Sequence, residues 1–142
     1  MKKQIKEIVN KYKILIVYSF GSNAVKVRDF VLSNKQQISF IDTDIDIGIK
    51  SSKNLSLSDK ILLTQSFEEL FNVNKVDLID LSKSSIFFTF QVICGELIYC
   101  KDAYYEAEYQ LYIMQRVSEL LPFERAREKQ ILVLRNDKGK NK

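Results

Sequence analysis

Asp42, Asp44 and Asp46 stand at alternate positions in SFIDTDIDIGIK, Ser39 to Lys50, with Ile41, Thr43, Ile45 and Ile47 around them. In an extended strand, side chains two apart share a face and lie about 6.5–7 Å from each other. The acids therefore line one side and the apolar residues the other, a pattern that an ordinary edge strand with one wet face would also show. A second strand-like stretch, KVDLIDL, places Asp77 between Val76 and Leu78. Pairing of the two strands brings Asp77 beside Asp44 and Asp46, within the ~5 Å reach of neighbouring strands. Two carboxylates ~4 Å apart repel by about 4 kcal/mol at the effective dielectric of a protein surface. Such a trio takes up protons or binds a cation. Hard oxygen donors on an apolar floor suit Mg²⁺, which keeps several waters and is completed by substrate phosphates. Gly21 and Ser22 close another strand-like run, KILIVYSF, and open a helix-like one. A strand-to-helix junction of that kind presents backbone N–H groups, a hydroxyl and the positive end of a helix dipole to an anion.

The chain contains no histidine. Ser-His-Asp and Cys-His nucleophiles, histidine acid–base pairs and the usual zinc sites each lose their central member. Carboxylate, hydroxyl, lysine and arginine chemistry remains.

Elements must hold these residues in place, and the periodicity supplies them. Ile5, Ile8, Val9 and Tyr12 recur at helical spacing, as do Ala24, Val27, Phe30 and Val31. KILIVYSF reads as a strand buried on both faces, and SNKQQ, 33–37, as a loop. Strand alternation runs from Ile38 to Ile49. The residues from Leu57 to Phe71 fit a helix with Ser56 or Ser58 as N-cap and Asp59 in the first turn. KVDLIDL is a strand. SIFFTFQVIC, capped by Ser84 or Ser85 and stopped at Gly95, favours a helix, and ELIYC is a short strand. A helical region spans Asp102 to Leu134, with Pro122 expected to kink or divide it. Tyr105, Tyr109 and Tyr112 share one helical face and read as packing residues; exposed tyrosines would instead fit a protein interface.

At 142 residues, 46% hydrophobic and 28% charged, the chain has the size and composition of one globular domain. Its order of elements predicts an α+β fold with α/β-like alternation, a small mixed sheet with helices packed on it in two layers. The domain is expected over residues 1–134. Arg135, Lys138, Lys140 and Lys142 form a solvated basic tail over 135–142 that contributes to the net charge of +4, so basicity alone does not point to nucleic acid. Cys94 and Cys100 lack metal or redox spacing and read as small core residues in a reducing, cytoplasmic setting. No apolar run is long enough for a membrane span.

Strand, Gly-Ser, helix, then D-x-D on the next strand and an acid on a third: in this order the residues resemble the DNA polymerase β-like nucleotidyltransferase superfamily. More narrowly, YSFGSNA, TDIDIGI, VDLIDL and GELIYCKD resemble the minimal nucleotidyltransferases, the antitoxin partners of HEPN-domain toxins. The resemblance implies a nucleotidyltransferase fold in which Asp44, Asp46 and Asp77 are the catalytic residues and hold two Mg²⁺ ions, with Gly21 and Ser22 on the triphosphate of ATP. It implies an antitoxin that transfers AMP from ATP to a tyrosine of a HEPN ribonuclease toxin, within a hetero-oligomer and without direct contact to nucleic acid. Asp77 is then the general-base candidate. Asp42 and Asp80 do not match family positions; Asp42 reads as a strand cap and Asp80, of opposite parity to Asp77, as a surface or strand-end residue.

Two departures stand out. The family usually continues its motif as G-S-x-A-R-G, whereas this chain reads GSNAVKV, with Val25 and Lys26 in place of Arg and Gly. Lys26 and Arg28 are the cations nearby that could serve a phosphate, or be plain solvated helix residues. The segment from Gly21 to Asp44 is also long for a small family member. Two further readings therefore stand beside the first: an antitoxin that neutralises its toxin by binding with little catalysis, and a nucleotidyltransferase acting on a small molecule or an RNA end. The last needs an acceptor pocket that this length hardly provides.

Overall fold

The structure, a computed structural model, describes residues 2–32 and 44–140. Five helices and four strands alternate along them: α1 (Lys2–Tyr12), β1 (Ile14–Phe20), α2 (Ala24–Leu32), β2 (Asp44–Ser51), α3 (Leu57–Phe71), β3 (Lys75–Asp80), α4 (Ile86–Ile93), β4 (Glu96–Cys100) and α5 (Ala103–Lys140). Asp42 and the expected loop at 33–37 lie outside the described residues.

The strands form one mixed sheet in the order β3-β2-β1-β4. β1 is antiparallel to both of its neighbours, and β2 runs parallel to β3. A central strand meets side chains on both faces, which is why ILIVYSF is apolar almost throughout and why Ile16, Val17 and Tyr18 are fully buried. Alternate parity then divides the molecule. Ile45, Ile47 and Ile49 of β2 and Val76 of β3 pack with Ile5 and Val9 of α1, Val27 and Phe30 of α2, and Leu63 and Phe67 of α3. Ile16 and Tyr18 of β1 pack on the other side with Val92 and Ile93 of α4 and Ile113 of α5. The sheet thus lies between two helical layers. Two layers were expected in all; periodicity identifies a helix's apolar stripe but not the sheet face that stripe covers.

Local chemistry fixes the ends of these elements. Ser56 caps α3 in a full capping box with Asp59, and Asn72, in the left-handed region at φ 53°, closes its C-terminus. Ser85 caps α4, its hydroxyl accepting from Phe88 N. Pro122 does not divide α5, which continues as one helix through Lys140. The missing donor leaves the carbonyl of Ser118 without its helical partner, and Ser118 is exposed, so water can meet that oxygen. Residues 135–140 therefore extend the helix. Cys94 is exposed and Cys100 half-buried, so neither is the core residue expected: Cys94 is the C-cap of α4, at the sheet's end, and Cys100 ends the edge strand β4. Among the described residues no helix is long and apolar enough to cross a membrane.

Candidate active site

β2 and β3 are in register with Asp44 opposite Lys75 and Asp46 opposite Asp77. Parallel partners in register project the same way, so all four side chains share one face at one end of the sheet. This is the face that carries α4 and α5. Two residues further along β2, a Cβ on Gly48 would fall 2.5 Å from Val92 Cγ1, so α4 rests directly on the sheet there. The acids continue the same strand face toward the start of β2.

The Gly-Ser turn closes over them. Phe20, the last residue of β1, is the register partner of Asp46, and Gly21 follows at φ +78°, a backbone region natural to glycine. A Cβ on Gly21 would sit 2.5 Å from Asp46 Oδ2. The glycine is required twice, for the turn and for the close approach of backbone to carboxylate. Asn23 completes the junction by donating from Nδ2 to the carbonyl of Asp44 at 2.9 Å, tying the turn to the start of β2. Below, the buried Ser19 hydroxyl donates to the carbonyl of Ala24 at 2.9 Å and anchors the first turn of α2. The expected site residues Gly21, Ser22, Asp44, Asp46 and Asp77 are thereby gathered at one edge of the molecule, with Ser22 exposed in the turn.

Crowding shows in the proton affinity of Asp46. Partial burial pushes its carboxyl above the usual range, the neighbouring charge of Asp77 and a side-chain hydrogen bond with it push further, Asp44 adds a smaller push, and Lys75 opposes. Lys75 Nζ lies 3.6 Å from Asp77 Oδ1, with both side chains well exposed. Among the described residues no three acids, thiols or imidazoles are already gathered as a cage for a metal ion. The donor set still fits Mg²⁺, which is commonly held by one or two carboxylates and completed by water and phosphate oxygens. Asp46 and Asp77, register partners on adjacent strands, with Asp44 two residues before Asp46 on the same face, are such a set.

The remaining candidates go elsewhere. Arg28 is held by Glu96 of β4 at 3.1 Å and by Asp29 at 3.2 Å, and these carboxylates raise its proton affinity further. It ties α2 to β4. Lys26 is exposed on α2. Asp80 takes the strand-end role: it caps the short 3-10 turn Leu81–Lys83, accepts from Ser82 N at 3.1 Å and Ser82 Oγ at 2.6 Å, and meets Lys60 Nζ at 3.6 Å. Its side chain is only 6% exposed, so it is not a surface acid. Tyr105 and Tyr109 pack into the second core cluster, and burial pushes the Tyr109 hydroxyl up to about 12, while Tyr104 and Tyr112 are exposed. Sequence reading missed Asn23 and Lys75. Asn23 follows the Gly-Ser pair and carried the signal of a turn residue that bonds backbone; Lys75 had none until register placed it opposite Asp44.

Residues 3–104, more than two thirds of the chain, match the family described as polymerase beta, nucleotidyltransferase. The chain belongs to this nucleotidyltransferase family. In sequence alone, no curated protein matches it. Solved structures do match in fold. A chain from a crystal structure of a toxin-antitoxin MntA-HpeT mutant superposes with a TM-score of 0.67 at 16% identity, covering 93% of this nucleotidyltransferase and 98% of that chain. One from a toxin-antitoxin crystal structure with AMP-PNP gives 0.65 at 17%, covering 92% and 98%. Another, from the tri-AMPylated Shewanella oneidensis HEPN toxin in complex with MNT antitoxin, gives 0.65 at 17%, covering 92% and 95%. At such identities the likeness is one of fold.

Proposed function

We propose that this nucleotidyltransferase is an antitoxin that transfers AMP from ATP to a tyrosine hydroxyl of a HEPN ribonuclease toxin. The observation that carries the reading is the convergence of Asp46, Asp77 and Gly21 from three different segments onto one patch. The toxin as acceptor is supported by the similar structures, one described with AMP-PNP and one with a tri-AMPylated HEPN toxin. A protein partner is also supported by α5. From Pro122 to Arg135 every side chain but the half-buried Glu124 is exposed, including Phe123 and the run Ile131 to Leu134.

Asp44, Asp46 and Asp77 would hold Mg²⁺, which when bound supplies Lewis-acid stabilisation to the phosphate oxygens. The chain's own residues do the rest. The Gly21–Asn23 turn leads into α2, so its backbone N–H groups and the Ser22 hydroxyl lie at the positive end of the helix, where a triphosphate is favoured. Asp77, whose side chain is 44% exposed, is open to an incoming hydroxyl and accepts its proton. The tyrosine oxygen forms a bond to the α-phosphorus, the bond from that phosphorus to the bridging oxygen breaks, and pyrophosphate leaves with the electron pair. The scheme needs no histidine.

The test is label transfer from α-labelled ATP to the purified HEPN partner in Mg²⁺, comparing wild type with Asp44→Asn and Asp46→Asn. Each substitution is expected to lower transfer at least about a hundredfold. Transfer that survives both overturns the proposed site. One observation favours a second reading, neutralisation by binding alone: Val25 and Lys26 replace the family's Arg-Gly, and Arg28 is taken up by Asp29 and Glu96. Absence of any transfer beside full inhibition of the toxin selects that reading.

A further inference from the structure

We propose that Lys75 is a resident counter-cation of the carboxylate patch, a placeholder that a divalent ion must displace. The inference rests on the reading of Asp44, Asp46 and Asp77 as metal-binding. Register puts Lys75 directly opposite Asp44 and on the same face as all three acids. Its ammonium reaches forward along the strand to Asp77 Oδ1 at 3.6 Å.

The attachment is one that can be released. The Lys75 side chain is 61% exposed, its ion pair with Asp77 is at the surface, and among the described residues β3 is an edge strand of the sheet. An exposed lysine–carboxylate pair of this kind is weak, and the four-carbon stem lets the ammonium swing into water. A dication seated on Asp46 and Asp77 would stand within a few ångströms of the present ammonium position and repel it. The two positive groups are alternatives. Lysines on edge strands also guard against strand-to-strand association, but that role would leave metal affinity unchanged.

Mn²⁺ binding to the full chain without nucleotide, followed by electron paramagnetic resonance of the free ion, reads the competition. Lys75→Gln is expected to bind Mn²⁺ about tenfold more tightly than wild type, the scale of one unit charge acting on a dication at short range in a water-like medium. Lys75→Arg, which keeps the charge, should stay within about twofold of wild type. In EDTA Lys75→Gln should melt below wild type, and saturating Mn²⁺ should erase the difference, because the ion takes over the neutralising role. Equal or weaker Mn²⁺ binding by Lys75→Gln overturns the inference. If that result is accompanied by wild-type binding that Asp46→Asn abolishes, the metal site stands and only the placeholder falls. Mn²⁺ binding that Asp46→Asn leaves intact, or none by wild type, defeats the site assignment and the placeholder together.

Discussion

Replacing Asp46 by asparagine should stabilise the metal-free protein while removing its activity. Asp46 and Asp77 are register partners on adjacent strands, so their carboxylates lie within about 5 Å of each other. At that separation the repulsion is about 3 kcal/mol at an effective dielectric of 20 and about 0.8 kcal/mol in water. Asp77 is 44% exposed and partly neutralised by Lys75, which moves the figure toward the lower end, to about 1 kcal/mol. The asparagine amide can also donate to Asp77 where two acceptors now meet. A gain of about 1 kcal/mol in a domain of this size raises the melting temperature by about 3–4 °C. The pH dependence has a definite sign. The folded carboxyl of Asp46 is raised above its ordinary value of 3.8, so the folded state holds this proton more tightly than the unfolded one. Stability from this group is therefore greatest at low pH and is lost as pH rises from about 3.8 through the raised folded value. Thermal melts by circular dichroism in EDTA, from pH 4.5 to 8, should show Asp46→Asn above wild type, with the gap widening as pH rises. Saturating Mg²⁺ should raise the wild type and not the variant. A variant that melts at or below wild type near pH 7.5, or a gap independent of pH, would refute the reasoning that these carboxylates are held together at a cost in the absence of metal.

Two further outcomes follow from the fold. Gly21→Ala must place a Cβ against Asp46 Oδ2 from a backbone at φ +78°; we expect a loss of about 1–3 kcal/mol in denaturant unfolding, from left-handed strain and the displaced carboxylate, with label transfer reduced more than tenfold. Tyr18 donates at 2.6 Å to the buried Glu106, which also accepts from Gln110, and burial lifts the phenol far above its usual range. Tyr18→Phe should cost about 1–2 kcal/mol near neutral pH, because Glu106 keeps only one side-chain donor. The wild type should lose stability as pH rises above about 10, where the unfolded phenol ionises and the folded one does not, and the variant should be flatter there in alkaline melts.

The alternation of Asp44 and Asp46 with Ile45 and Ile47 determined by itself that acids would share one strand face, because the side-chain period of a strand is two whatever surrounds it. Ser56 before Asp59 and Ser85 before an apolar run likewise marked helix starts, since a cap is a bond between residues three apart. The resemblance of Gly21, Ser22 and the D-x-D pair to a family motif was visible for the same reason: its parts are short contiguous stretches. What the chain order could not contain was decided by packing. Register set Asp46 opposite Asp77 and Lys75 opposite Asp44, and a shift by one residue would have turned the β3 pair to the other face. The choice of face for each helix made three layers rather than two. The pairing of Arg28 with Glu96 and of Tyr18 with Glu106 joins residues far apart in the chain. Local periodicity reports which side of an element is apolar. Only the assembled sheet, which trades the repulsion of gathered carboxylates against the burial of the isoleucines between them, determines what those sides meet.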